Sequence, residues 1–427
     1  MFLVAQVKSF YGGIMKKILL LLSLGALVLV SCENGKLTSI TATPIKKGYW
    51  VGESVTAKDI AVTATYKKGA TLSVSEFTIS HEPFTAAGNA TVTVSYNEGS
   101  VTQVATCDVT VIALNVLAEG TNGSVGTEGR YVEFGMWPKT IMDDGVTINE
   151  EETKTVGMYT YAKGSDGAWY CKAKENGYNP AFTYSDASAV KQEADDSYRW
   201  FKVEPIKWRV LSTDFNGKAL LWAEYSLTSG VCFFDGEGRT IEETTIYQNN
   251  YKHSKIRAFL NGLSYQLNES PNEIYNGNGF LQTAFSAAEQ DLVMTTEVDN
   301  SPAASNPYEN PTRWNNGNNS RCCENTFDKI FLLSQKEATN PDFLFPGAGV
   351  KEGEARKRQR KQTDFALANG GNYVDALRCH VLLRTPVWNE YIRPHYIRHA
   401  GETEYGNYTT SDGAFGIVPA LCIDYKF

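Results

Sequence analysis

From residue 37 to residue 114 the chain alternates apolar and polar positions with a period of two. "ESVTAKDIAVTATYKKGATLSVSEFTIS" and "NATVTVSYNEGSVTQVATCDVTVIA" set Val, Ile, Thr and Tyr against polar neighbours, and Lys68-Gly69 and Asn97-Glu98-Gly99 punctuate the runs. Alternation of this kind marks half-buried strands, and the Gly-containing breaks mark turns. The pattern predicts roughly seven short strands, enough for a two-layer all-β sandwich.

The pattern stops at "AEGTNGSVGTEG" (118–129), a Gly/Ser/Thr-rich stretch that reads as part of a linker over 115–129. Beyond it, residues 130–427 mix two periods. "IKWRVLS" (206–212), "ALLWAEY" (219–225) and "KIFLLS" (329–334) are strand-like. Ile256, Phe259, Leu260 and Leu263 instead recur at the spacing of one helix face. Ser286 with Glu289, and Ser334 with Glu337, fit the reciprocal capping box of a helix start. This half of the chain is therefore expected to be a larger α+β domain. "DNSPAASNPYENPTRWNNGNNS" (299–320) reads as a long surface loop, and "ARKRQRK" (355–361) as a solvated helix face or loop.

The first 31 residues follow neither period. Met15-Lys16-Lys17 precedes the unbroken apolar run "ILLLLSLGALVLV", which is short for a membrane span and right for a secretory signal. Met15 begins a complete signal by itself, so residues 1–14 read as an upstream extension. The ending Leu29-Val30-Ser31-Cys32 resembles a bacterial lipobox. That implies cleavage before Cys32, acylation of its thiol, and a mature chain whose residues 32–36 tether it to a membrane. A net charge of −8 argues against a nucleic-acid partner, which requires a basic face. Of eight cysteines, Cys322 and Cys323 are adjacent and no CxxC spacing occurs, so neither a disulfide framework nor a zinc site of that kind is expected.

Two stretches resemble known families. Residues 37–114, through "LTSITATP", "YWVGESV", "DIAVTATY", "TVTVSY" and "VTV", resemble bacterial Ig-like domains, which implies a spacer or adhesive module. Residues 130–427 carry "YVEFGMWP" (131–138), "PIKWRVL" (205–211), "SKIRAFLN" (254–261), "FLQTAFSAAEQ" (280–290), "DKIFLLSQKEA" (328–338), "TDFALANG" (363–370), "LLRTP" (382–386) and "GIVPALCI" (416–423). Together these resemble a bacterial domain of formally unknown function. The resemblance implies a C-type-lectin-like fold of the formylglycine-generating-enzyme subclass, as found in spirochaete-type lipoproteins and in variable proteins of diversity-generating retroelements. An aromatic residue is usual just before the Leu-Arg of "LLRTP"; Val381-Leu382 stand there instead.

Candidate chemistry concentrates in residues 372–412, above all in "RPHYIRHAGETEYGNY" (393–408). If Pro394 opened a helix, His395 and His399 would share a face, with Glu402 or Glu404 as a third metal ligand. Tyr396 stands where a zincin needs glutamate, and Gly401 interrupts the helix, so no metal is assigned. "Trp388-Asn389-Glu390" resembles half of a lectin calcium motif whose companion tripeptide is missing. Oxidase chemistry of the formylglycine-generating type would need a reactive cysteine pair, and only Cys379 and Cys422 lie late in the chain, outside any recognisable catalytic motif. No catalytic residue and no cofactor are assigned. Tyr, Arg, His and Asn are instead the residue types of a contact surface, because Tyr offers flat amphipathic area and Arg multidentate hydrogen bonding. The expected ligand-facing set is Tyr391, Arg393, His395, Tyr396, Arg398, His399, Tyr405 and Tyr408, on an exposed loop broken by Pro394, Gly401 and Gly406. These are also residue types reachable from diversified asparagine codons. The sequence thus predicts a lipid-anchored protein of the cell envelope, displayed on the outer membrane like an adhesin, that binds an external protein or glycan. An oxidase, or a structural envelope protein, are the alternatives.

Overall fold

A computed structural model describes residues 35–117, 130–267, 270–301, 319–320, 323–347, 355–374, 377–387, 390–404, 406 and 408–427. The chain divides into two compact units, Met1–Ala113 and Leu114–Phe427. Cys32 and residues 118–129 lie outside the described residues, as does all of the Asn/Pro-rich stretch except 299–301 and 319–320.

The first unit is built from seven strands: β1 (Leu37–Pro44), β2 (Gly48–Trp50), β3 (Ile60–Tyr66), β4 (Thr71–Val74), β5 (Thr78–Ser80), β6 (Gly88–Glu98) and β7 (Val101–Ile112). They form two sheets, β1-β3-β4 and β2-β7-β6-β5. The alternation read from the sequence is the burial alternation. In β3, Ile60, Val62, Ala64 and Tyr66 are buried, and in β6 Val92, Val94 and Tyr96 are buried. These residues share one apolar core with Tyr49, Phe84, Val109 and Val111. A one-residue slip of any of these strands would turn that set to solvent, which is why the pattern specifies the register.

The second unit is mostly β. Its framework is a ten-stranded sheet containing β8 (Asn115–Leu117), β9 (Tyr131–Ile141), β10 (Ile148–Val156), β11 (Tyr159–Gly164), β12 (Trp169–Lys174), β13 (Tyr198–Phe215) and β14 (Lys218–Ala223). Residues 115–117, expected in the linker, pair with β9 and so belong to this sheet. β13 runs for 18 residues and binds β12, β9 and β14 in turn. The sheet continues from β14 through Ala420–Ile423 to Val293–Met294, and the strand Ile330–Phe331 also pairs with Ala420–Ile423. Strands buried on both faces read as continuous apolar runs, as "ALLWA" and "ALCI" do.

The helix signals are present but the helices are short, so the described residues are mostly β. Ser254 caps the helix Lys255–Asn261 by accepting from the Arg257 amide, and Gly262 ends it in the left-handed conformation. The capping boxes at Ser286/Glu289 and Ser334/Glu337 are both formed, yet they open helices of only six and four residues. The basic run is also not a solvated face. Arg358 and Arg360 are fully buried, while Arg356 and Lys361 face solvent. Arg358 donates to the carbonyls of Gly401, Ala338, Pro346 and Gly347. Arg360 donates to the Ala223 carbonyl and stacks over Trp222 at 3.7 Å. Multiple carbonyl acceptors and an aromatic face make burial of a guanidinium tolerable. Among the described residues no helix is long and apolar enough to cross a membrane.

Candidate functional site

The segment 393–408 is anchored by strands, not carried on an open loop. Val381–Pro386 is wholly buried and pairs antiparallel with Pro394–Ile397, with Leu382 opposite Tyr396 and Val381 opposite Ile397. Thr403–Glu404 adds a third strand, with Tyr396 opposite Glu404. Pro394 therefore opens a strand and not a helix. His395 and Tyr396, both 1% exposed, are interior residues. The expectation that these two face a ligand from an exposed loop is corrected. Strand pairing on both sides supplies partners for the backbone of 394–397, so polar side chains can sit in an interior strand.

The remaining six candidates divide. Tyr391 is 49% exposed and its ring stacks on Tyr247 at 5.4 Å. Arg398 is exposed and pairs with Glu404 at 3.0 Å. Arg393 is half-buried, paired with Glu390 at 2.9 Å. His399 and Tyr408 are half-buried, and Tyr405 lies outside the described residues. Asn249, which is fully buried, holds the approach to this segment by donating to the carbonyls of Val387, Glu390 and Arg393. Trp388 and Asn389 of the calcium-like tripeptide also lie outside the described residues.

Behind the exposed residues sits an aromatic cluster. Tyr396 lies 5.4 Å from His380, 5.5 Å from Tyr408 and 5.4 Å from Phe415, centroid to centroid, and His380 lies 5.4 Å from His399. Burial pushes His380 down to about 4, assisted by His399 and Arg398, and pushes His395 down to about 3. Both imidazoles are neutral at ordinary pH, because a low-dielectric site disfavours the charged form. His395 and His399 do not share a helical face, because Pro394–Ile397 is a strand that ends before His399. Glu404 is already engaged by Tyr396 and Arg398. Among the described residues no group of three His, Cys, Asp or Glu side chains is placed to hold a metal ion.

Two open clefts border the same segment. One, of about 660 Å³, is lined by Glu237, Gln248, Ile392 and Thr410; the other, of about 430 Å³, by Tyr178, Asn369 and Asp412; Asp235 and Ser411 line both. Backbone bonds fix the shared wall: Thr410 N–H donates to the Ile392 carbonyl, Phe234 N–H to Thr410, and Gly230 N–H to Gly413. Gly230 is needed there. Its φ is +79°, and a Cβ would sit 2.6 Å from the Asn369 carbonyl. Asp235 is held by Lys255 at 2.6 Å. Asp412 is raised above the usual carboxylate range by burial. Sequence reasoning passed over Tyr178, Asp235 and Asp412. The available signal was the pair of Asp-Gly turns, Asp235-Gly236 and Asp412-Gly413, each in a segment between apolar runs.

The described cysteines offer little reactivity. Cys107, Cys171, Cys232, Cys323, Cys379 and Cys422 are free. Burial pushes Cys379 up to about 12 and Cys422 up to about 11, so both are protonated thiols, poor as nucleophiles or metal ligands.

With this geometry in place, comparison with known families divides the chain in the same way. Residues 42–111 match the bacterial Ig-like domain (group 3). Residues 216–425 match a domain of unknown function (DUF6273), a span that includes both clefts except for Asn176, Gly177 and Tyr178, and the whole of 372–412. No curated protein and no solved structure matches the chain. The chain carries an N-terminal bacterial Ig-like domain and a C-terminal domain of unknown function.

Proposed function

We propose that this is a lipid-anchored surface protein that binds an external ligand, a protein or a glycan, through its C-terminal domain, with the Ig-like domain as spacer. The observation that carries the reading is the arrangement of 390–412. Its interior residues are locked into strands, while Tyr391 and Arg398 are left outward and Arg393, His399 and Tyr408 partly so. The same segment supplies Ile392 and residues 409–412 to two open clefts of mixed polar and apolar lining. A rigid support beneath exposed Tyr and Arg is what a contact surface requires, since preorganised aromatic and guanidinium groups give area and hydrogen bonding at low entropic cost.

Anchoring rests on the lipobox-like Leu29-Val30-Ser31-Cys32, and outer-membrane display on the pairing of a signal with an adhesin-like Ig module. The C-type-lectin-like fold, and kinship to retroelement-diversified proteins, rest on the motif resemblance. If the segment is diversified, its variable positions are the outward ones, with His395 and Tyr396 as scaffold.

The test is a surface-plasmon-resonance screen of the full chain against a defined panel of immobilised extracellular proteins and oligosaccharides. A saturable interaction lost in a Tyr391→Ala/Arg398→Ala variant of unchanged thermal stability supports the reading. Hits that all persist in that variant and in variants of the two clefts remove it.

A further inference from the structure

We infer that the smaller cleft, around Tyr178 and Asp412, is a subsite for a neutral saccharide. The inference rests on the binding-module reading and names a ligand class for one part of it. The lining combines one large ring, Tyr178, and the small residues Cys232, Ala414 and four glycines with a set of polar side chains. Tyr178 is 50% exposed, stacks with Phe182 at 6.5 Å and 21°, and Phe182 in turn stacks on Tyr373 at 3.9 Å and 24°. This ladder braces an accessible aromatic ring at the edge of a cleft of about 430 Å³, within the usual range for small-ligand sites. The polar part of the wall is carboxylate, amide and hydroxyl: Asp412, Asp235, Asn176, Asn369 and Ser411.

Charge decides among ligand classes. An anion would meet Asp412 and Asp235 with no basic residue among the lining side chains. An apolar ligand would need a larger hydrophobic lining than Tyr178, Cys232 and Ala414 supply. A cation would find Asp235 already paired with Lys255 at 2.6 Å, and that ammonium would repel it. Asp412 is half-buried, its backbone N–H donates to the Thr409 carbonyl, and its carboxylate takes part in no ion pair among the described residues. A carboxylate in that setting gains from uncharged donors, which avoid the cost of desolvating a second charge. A pyranose supplies both halves of the match. Its C–H face covers an aromatic ring, and its adjacent hydroxyls donate to and accept from planar carboxylate and amide groups.

Saturation-transfer-difference NMR on the full chain would use the methyl glycosides of glucose, galactose, mannose and N-acetylglucosamine, with spermidine and citrate as charged probes. At least one glycoside should bind saturably. Its affinity should fall about tenfold in Tyr178→Ala, the loss of roughly one aromatic contact, and comparably in Asp412→Asn. Tyr198→Ala, an equally exposed tyrosine outside the cleft, should leave it unchanged. Binding of spermidine alone, or glycoside binding indifferent to both cleft variants, overturns the inference. If no glycoside binds while a Tyr391/Arg398-dependent partner is retained, the saccharide subsite falls and the binding module stands; loss of both removes both.

Discussion

Replacing Tyr396 with alanine should destabilise the C-terminal unit by about 3–5 kcal/mol, the usual range for deleting a fully buried aromatic side chain. The magnitude follows from what the ring touches. It packs against His380, Tyr408 and Phe415 with centroids 5.4, 5.5 and 5.4 Å away, and it lies in the middle of a three-stranded sheet. Its hydroxyl adds little, because the 3.4 Å approach to Glu404 is long, so Tyr396→Phe should cost only about 0.5–1 kcal/mol. Arg398→Ala is the contrast. It breaks a 3.0 Å ion pair with Glu404 whose side chains are 44% and 35% exposed, an interaction of about 0.2–1 kcal/mol. The sequence alone predicts the opposite for Tyr396, since a ligand-facing loop residue can be truncated without loss of stability. Urea unfolding followed by tryptophan fluorescence separates the two cases. Trp50 alone precedes residue 114, so the signal reports the C-terminal unit. If Tyr396→Ala shifts the midpoint no further than Arg398→Ala, the ring is not part of the core and the buried-strand assignment is wrong.

Acid should weaken the same unit through its histidines. Unfolded imidazole titrates near 6.5, whereas folded His380 and His395 are pushed to about 4 and about 3. Within that window the unfolded chain binds more protons, so stability rises with pH: the contribution is complete above about 6.5 and is lost as pH falls towards 4. His253 is also pushed down to about 4 by burial, so a His380→Asn/His395→Gln variant should lessen, without abolishing, the fall of the urea midpoint between pH 6.5 and 5; an unchanged slope contradicts the burial argument. Cys379 and Cys422 should resist iodoacetamide at pH 8 in the folded chain and react once it is unfolded, and rapid labelling of either in the native state would reopen the oxidase reading. Cells given labelled palmitate should incorporate it into the wild-type chain and not into Cys32→Ala; equal incorporation would remove the lipid anchor.

The Ig-like half was legible because a strand buried on one face writes its burial directly into the sequence. Ile60-Ala61-Val62-Thr63-Ala64 is an example, read and found as alternating inside and outside. The larger half was legible in pieces. "ALLWA" and the helix at Lys255–Asn261 were recognisable, whereas the proportion of helix to strand was not. A capping box reports how a helix begins and carries no information on where it ends. Ser334 and Glu337 form theirs perfectly well over a single four-residue turn.

The candidate face was misread at two positions, His395 and Tyr396, for a different reason. Tyr, His and Arg are amphipathic, so the same side chain is a surface contact or a core element according to what lies across from it. His395 and Tyr396 are enclosed because Val381–Pro386 and Thr403–Glu404 flank them, pairings that no local pattern announces. The basic run follows the same logic. Arg358 is interior because the Gly401 carbonyl, 43 residues further on, accepts from its Nε at 2.6 Å. Gly401 can approach only as glycine: its φ is +99°, and a Cβ there would lie 2.1 Å from the Ala355 carbonyl. Read locally, the glycine was a loop breaker and the arginine a solvated charge. Read together, they are two halves of one joint. The Gly401 N–H in turn donates to the Arg398 carbonyl, so the turn carrying Arg398 and His399 is positioned by a guanidinium that never meets solvent.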